Sequence, residues 1–245
     1  MHNQTQKPLF IGFNWKVNPT SLDDAKTLFE TYKKLNLDTG NSFESAIFVP
    51  DLYISSLINQ GVNVGPQNIS ANLNGAFTGD TSAKMYKNMG CKYAIVGHSE
   101  TRKELNLSSQ TLSKKVQMAI SESIIPIYCI AFTDVNFAEK QLTDDLNQVF
   151  NDINQNDKIV VAFEPLDSIG GVAMSNENID HYLSLIKSFI KEKNFVDVPV
   201  LYGGGVNSTN ITEILKCKNV DGFLVGGASL KSAELEKMFK IASDR

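Results

Sequence analysis

At 245 residues with 42% hydrophobic side chains, the chain is long enough to bury a sizeable core, and since a single α/β barrel domain routinely runs to this length, one domain over 1–245 is expected. The formal net charge of −4 provides no basic field to attract nucleic acid or a membrane surface, so an anionic ligand would need local donors. No run of 18 apolar residues occurs and Met1 to Pro8 lacks a hydrophobic signal core, which predicts a cytoplasmic protein. Cys91, Cys129 and Cys217 are odd in number and widely spaced, arguing against disulfides and a zinc site. His2, His98 and His181 also lack metal-ligand spacing, so no metal is expected.

Taken in chain order, apolar and β-branched runs fall at 9–14, 45–49, 62–67, 93–96, 125–130, 158–163, 198–202 and 221–225. They are nearly all apolar rather than alternating, as parallel strands covered on both faces require. Stretches with helical spacing lie between them; from Asn178, for example, Ile179, Tyr182, Leu183, Leu185, Ile186 and Phe189 recur at three- and four-residue steps. Eight strand–helix beats predict an α/β fold, a single (β/α)8 barrel. An open doubly wound sheet satisfies the same pattern.

In such a barrel the chemistry gathers at the carboxyl ends of the strands. The first strand delivers Asn14-Trp15-Lys16 there, although a lone lysine in that place is as easily a solvated loop residue. The fourth delivers Gly97-His98-Ser99-Glu100 at a helix start, where the positive end of the helix dipole favours a neutral imidazole. A histidine satisfied by structure alone fits the same place. The sixth ends in Phe163-Glu164-Pro165; a carboxylate directly after an apolar run is costly unless it has a partner or a task. Glycine turns follow strands six, seven and eight, at Gly170-Gly171, Gly203-Gly204-Gly205 and Gly226-Gly227. One glycine pair says little, but three on one face offer backbone N–H groups to a phosphate.

These residues carry a resemblance. Phe13-Asn14-Trp15-Lys16, Gly97-His98-Ser99-Glu100, Phe163-Glu164-Pro165, Tyr202-Gly203-Gly204 and Val225-Gly226-Gly227 resemble the motifs of the triosephosphate isomerase family, in its order and over essentially the whole chain. Gln67-Asn68 and Gly75-Ala76-Phe77-Thr78-Gly79 resemble its third strand end and third loop. The resemblance implies a TIM barrel and an aldose–ketose isomerase of glycolysis and gluconeogenesis, acting on a small phosphorylated triose without a cofactor. Glu164 would be the base that moves the carbon-bound proton, and His98 the neutral electrophile. That pairing is the family's own known chemistry, which the resemblance implies for these positions. Lys16 would supply positive charge, Asn14 a further donor, and Gly170, Gly205, Gly226 and Gly227 amides for the phosphate. Glu100 would orient Lys16, and Ser99 would hold Glu164. Phe77 and Thr78 would form the loop that enters a second copy in a homodimer.

The departures cluster at the sixth loop. Phe163, Asp167 and Phe132 stand where the family has the tyrosine, tryptophan and glutamate that position this loop, and Gly205 replaces a serine. Asp80 and Thr101 replace the residues of an interface ion pair. Because the proton-transfer residues are all present, the resemblance predicts a working isomerase with altered loop kinetics. A weakened or non-catalytic phosphometabolite-binding barrel is the alternative.

Overall fold

The computed structural model describes residues 8–40, 42–165 and 173–245. Eight parallel strands are β1 (Phe10–Asn14), β2 (Glu44–Val49), β3 (Asn63–Pro66), β4 (Tyr93–Val96), β5 (Ile125–Ile130), β6 (Val160–Phe163), β7 (Val200–Tyr202) and β8 (Gly222–Val225). Their order, β3-β2-β1-β8-β7-β6-β5-β4, wraps the sheet until β3 and β4 face one another across the seam. The approach is close: a Cβ added at Gly65 on β3 would lie 2.3 Å from the Tyr93 carbonyl oxygen on β4. The doubly wound alternative is thereby excluded, and the fold is a (β/α)8 barrel.

The intervening helices are α1 (Leu22–Thr39), α2 (Asp51–Leu57), α3 (Ala83–Met89), α4 (Ser99–Glu104), α5 (Ser109–Ser121), α6 (Ala138–Phe150), α7 (Asn176–Glu192), α8 (Ile211–Ile214) and α9 (Ser232–Ser243). The expected stripe on α7 is buried at Ile179, Tyr182, Leu183, Ile186 and Phe189, while Leu185 is only half-buried at its margin. Ser175 starts that helix by accepting the Asn178 N–H, the N-cap arrangement that satisfies an otherwise orphaned donor. No helix among the described residues is long and apolar enough to cross a membrane.

Each strand buries both faces in separate layers. Phe10, Phe48, Tyr93, Ile95, Ile127, Cys129, Val160, Ala162, Leu201 and Leu224 fill the barrel interior. Ile11, Phe13, Val96, Ile130, Val161 and Phe163 pack outward against the helices. The two-residue period therefore decides which end residues face the barrel axis. On β1 the inward row runs Phe10, Gly12, Asn14; on β6 it runs Val160 and Ala162, and its next member is Glu164.

The β1–β8 pairing also depends on a glycine. A Cβ at Gly222 would sit 1.9 Å from the Phe10 carbonyl oxygen, and backbone bonded on both sides cannot retreat that far. Gly222→Ala is expected to cost about 3 kcal/mol or more, read as a large drop in thermal midpoint. An unchanged midpoint would contradict the close approach.

Candidate active site

Glu164 is only 6% exposed, a rare position for a carboxylate. Its backbone N–H donates to the Ile130 carbonyl at 2.9 Å, extending the β5–β6 ladder by one residue. Its side chain reaches the β4 exit, where Oε2 accepts the Ser99 backbone N–H at 2.9 Å and Oε1 lies 3.0 Å from His98 Nε2. Ser99 thus holds the carboxylate, and it does so through its amide. On the other side, a Cβ at Gly203 would come within 3.1 Å of Glu164 Cγ, so the β7 turn leaves room for the side chain.

His98 caps α4: its Nδ1 accepts the Glu100 N–H at 3.3 Å. A nitrogen receiving an amide proton holds a lone pair, which places the ring proton on Nε2, toward Glu164. The same Glu100 points its Oε2 to within 3.6 Å of His98 Nδ1 and its Oε1 to 2.5 Å from Lys16 Nζ. That carboxylate is half-exposed, so the pair contributes little to stability.

Lys16 is held from several directions. Its φ of +55° is left-handed, unusual for a residue with a side chain and a mark of local strain that surrounding contacts must hold. Asn14 Oδ1 accepts the Lys16 N–H at 2.9 Å, and Gln67 Nε2 donates to the Lys16 carbonyl at 2.7 Å and to that of Phe48 at 3.0 Å. Across the barrel mouth, a Cβ at Gly226 would lie 3.3 Å from Lys16 Cε, so the lysine crosses over the β8 turn. Ser229, in the following 3-10 turn, donates to the Asn14 carbonyl at 3.1 Å.

Lys16, Glu100, His98, Glu164 and the Ser99 amide therefore form one connected polar line at the carboxyl ends of β1, β4 and β6. Gly205, with φ +59°, turns the β7 loop, and Asn210 Nδ2 donates to its carbonyl at 2.9 Å. Gly226 and Gly227 open the 3-10 turn after β8, where a Cβ at Gly227 would meet open space. Gly170 and Asp167 lie outside the described residues. Phe77 and Thr78 are exposed on the loop between β3 and α3.

Several contributors carry no role that the sequence alone discloses. Gln67 supplies the Lys16 backbone clamp. Arg102 donates from Nε to the Gly97 carbonyl at 2.7 Å and from Nη2 to that of Cys129, and pairs through Nη1 with Asp145 at 2.9 Å. It thereby ties the His98 turn to β5 and α6. Cys129 is fully buried on the interior row, paired in register with Ala162. Burial pushes its thiol well above the ordinary range, and the nearby Glu164 charge adds to that, so it stays protonated beside the carboxylate. Lys115, also buried, donates to Asn68 Oδ1 at 2.9 Å and to the Ile69 carbonyl, bracing the chain just after Gln67.

The arrangement offers a buried carboxylate, an imidazole N–H and an ammonium to one small ligand. Residues 9–242 match the family model for triosephosphate isomerase. The triosephosphate isomerase of Buchnera aphidicola subsp. Schizaphis graminum is 35% identical, with 96% of this chain and 98% of that protein covered. Those of Alkaliphilus oremlandii (34%; 94% and 97%) and Natranaerobius thermophilus (34%; 95% and 95%) are similarly close in sequence. A match of this length and identity makes the chain a member of the triosephosphate isomerase family.

Proposed function

We propose that this chain interconverts dihydroxyacetone phosphate and glyceraldehyde 3-phosphate by proton transfer through an enediolate. The observation that carries the reading is Glu164, buried at the end of the interior row with Oε1 3.0 Å from His98 Nε2. In that reading the Glu164 carboxylate takes a proton from the carbon beside the carbonyl. The C–H electron pair forms the carbon–carbon double bond, and the carbonyl oxygen becomes the enediolate oxygen. The proton then returns from Glu164 to the neighbouring carbon, while the hydroxyl proton on that carbon's partner passes to the former carbonyl oxygen, so that one carbonyl is lost as the other forms. Both Glu164 oxygens are engaged, one by the Ser99 amide and one by His98, so the carboxylate must exchange those contacts for the substrate carbon.

The His98 Nε2–H and the Lys16 ammonium supply the donors for the developing negative charge, where preorganised dipoles act most strongly. Asn14 sets the Lys16 backbone, and Glu100 aims its ammonium. The amides of Gly170, Gly205, Gly226 and Gly227 take the phosphate in this reading, with the β8 turn brought under Lys16. Steady-state turnover of glyceraldehyde 3-phosphate tests it. Activity no higher than that of a Glu164→Gln control would overturn it.

The same reading assigns a homodimer in a reducing cytoplasm. Phe77 is 47% and Val17 85% exposed at the β3 and β1 exits, apolar surface better suited to a second copy than to water. The three cysteines are buried free thiols. Light scattering at micromolar concentration is expected to give twice the chain mass, and Phe77→Glu to shift it toward one. A wild-type monomer would count against the assembly.

A further inference from the structure

We propose that Phe132 is a positioning residue for Glu164, acting through an aromatic stack outside the barrel; the inference rests on Glu164 being the base. Glu164 faces the barrel axis, so the residue before it, Phe163, faces outward. The two are joined by one planar peptide, so a rotation of the Phe163 backbone about the strand, which its packed ring resists, moves the Glu164 Cα as well.

The main-chain ladder bonds both polar groups of this peptide and ends with it. The Glu164 N–H donates to the Ile130 carbonyl at 2.9 Å, and the Gly203 N–H donates to the Phe163 carbonyl at 2.8 Å. Pro165 then has no N–H to contribute. What restrains the peptide from outside is a set of rings. Phe163 is fully buried, with its centroid 5.9 Å from that of Phe132, 5.4 Å from Tyr182 and 6.4 Å from Tyr202. Phe132 and Tyr182 are 5.0 Å apart, and all of the pairs are tilted. Ring pairs in a close-packed core resist sliding, because any shift opens a gap against a neighbouring ring.

Phe132 is the member best placed to matter. It is 2% exposed and lies two residues beyond Ile130, whose carbonyl receives the Glu164 N–H. It therefore braces the base twice, through the strand that bonds its backbone and through the ring that locks its neighbour. Tyr182 brings the stack to α7, and Tyr202 brings it to β7, where its Oη accepts the Met174 N–H at 2.9 Å. In sequence, Phe132 stands out only as a departure near the sixth loop, and Phe163 as a departure at the end of the sixth run. The contacts give them a second role, as an apolar support for the carboxylate.

The test is kcat per active site, with sites titrated by 2-phosphoglycolate and folding checked by thermal unfolding. Phe132→Leu is expected to lower per-site kcat about tenfold while KM stays within about twofold, since a small misplacement of the base penalises the chemical step. Phe132→Tyr, which keeps the ring, should retain most of the turnover. Tyr182→Leu should act in the same direction, with the double variant losing less than the product of the two single losses. A lower thermal midpoint with wild-type kcat per titrated site would overturn the inference, as would a Phe132→Tyr variant as impaired as Phe132→Leu. A wild-type chain without turnover would remove the isomerase reading itself, and this inference with it.

Discussion

Changing Glu164→Gln is expected to lower kcat on glyceraldehyde 3-phosphate by about 10³-fold or more, in the upper part of the range that a positioned general base contributes. The amide is nearly the size of the carboxylate, so the cavity is kept and the interior row is undisturbed. What is lost is the lone pair that takes the proton. The geometry adds a further expectation. The substituted glutamine can still accept the Ser99 N–H through its oxygen, but its NH2 group cannot accept from His98 Nε2. KM should therefore stay within a few-fold, because three of the four proposed phosphate donors, Gly205, Gly226 and Gly227, follow other strands, while kcat and kcat/KM fall together. A variant that loses substrate affinity but keeps kcat would show that Glu164 binds rather than reacts, and the assignment of the base would fail.

The barrel is legible in the sequence because its strands are short, apolar and regularly spaced. Tyr93–Val96 and Ile125–Ile130 coincide with apolar runs to the residue, and the remaining strands begin one or two residues later, or one earlier, than the runs suggest. The runs overshoot at Leu9, Val62 and Val198 because a buried residue before a strand looks the same in sequence as the strand itself. Glu164 is legible for a reason the strands supply: a two-residue period carries the row from Val160 and Ala162 straight to it. The roles of Gln67 and Arg102 are not, since each acts on backbone carbonyls distant in sequence or across a turn, and no periodicity marks such a bond. Sequence marks Ser99 as a support without naming the atom, and the contact proves to be its N–H, which any residue but proline could provide. At position 132 it marks only a missing carboxylate. The packing of Phe132 against Phe163 and Tyr182 depends on how β5, β6 and α7 meet, which composition at one position cannot show.

His98→Gln is expected to lower kcat by about 10²–10³-fold, the usual loss when one donor to a developing oxyanion is removed. The argument turns on which nitrogen carries the proton. His98 Nδ1 is occupied as acceptor of the Glu100 N–H, leaving Nε2–H to face the reacting centre. A glutamine has the same hydrogen-bonding groups but hangs them on a flexible chain, and it cannot satisfy the Glu100 amide and present an N–H at the Nε2 position in one fixed geometry. Donors in a low-dielectric site act in proportion to how well they are held before the charge develops, so the looseness falls on the transition state more than on the bound substrate. KM should accordingly move less than kcat. Because His98 and Glu164 touch, the double Glu164→Gln, His98→Gln variant should be hardly slower than Glu164→Gln alone. Fully multiplicative losses would mean that the two residues serve separate steps, and the single enediolate site formed by β4 and β6 would have to be abandoned.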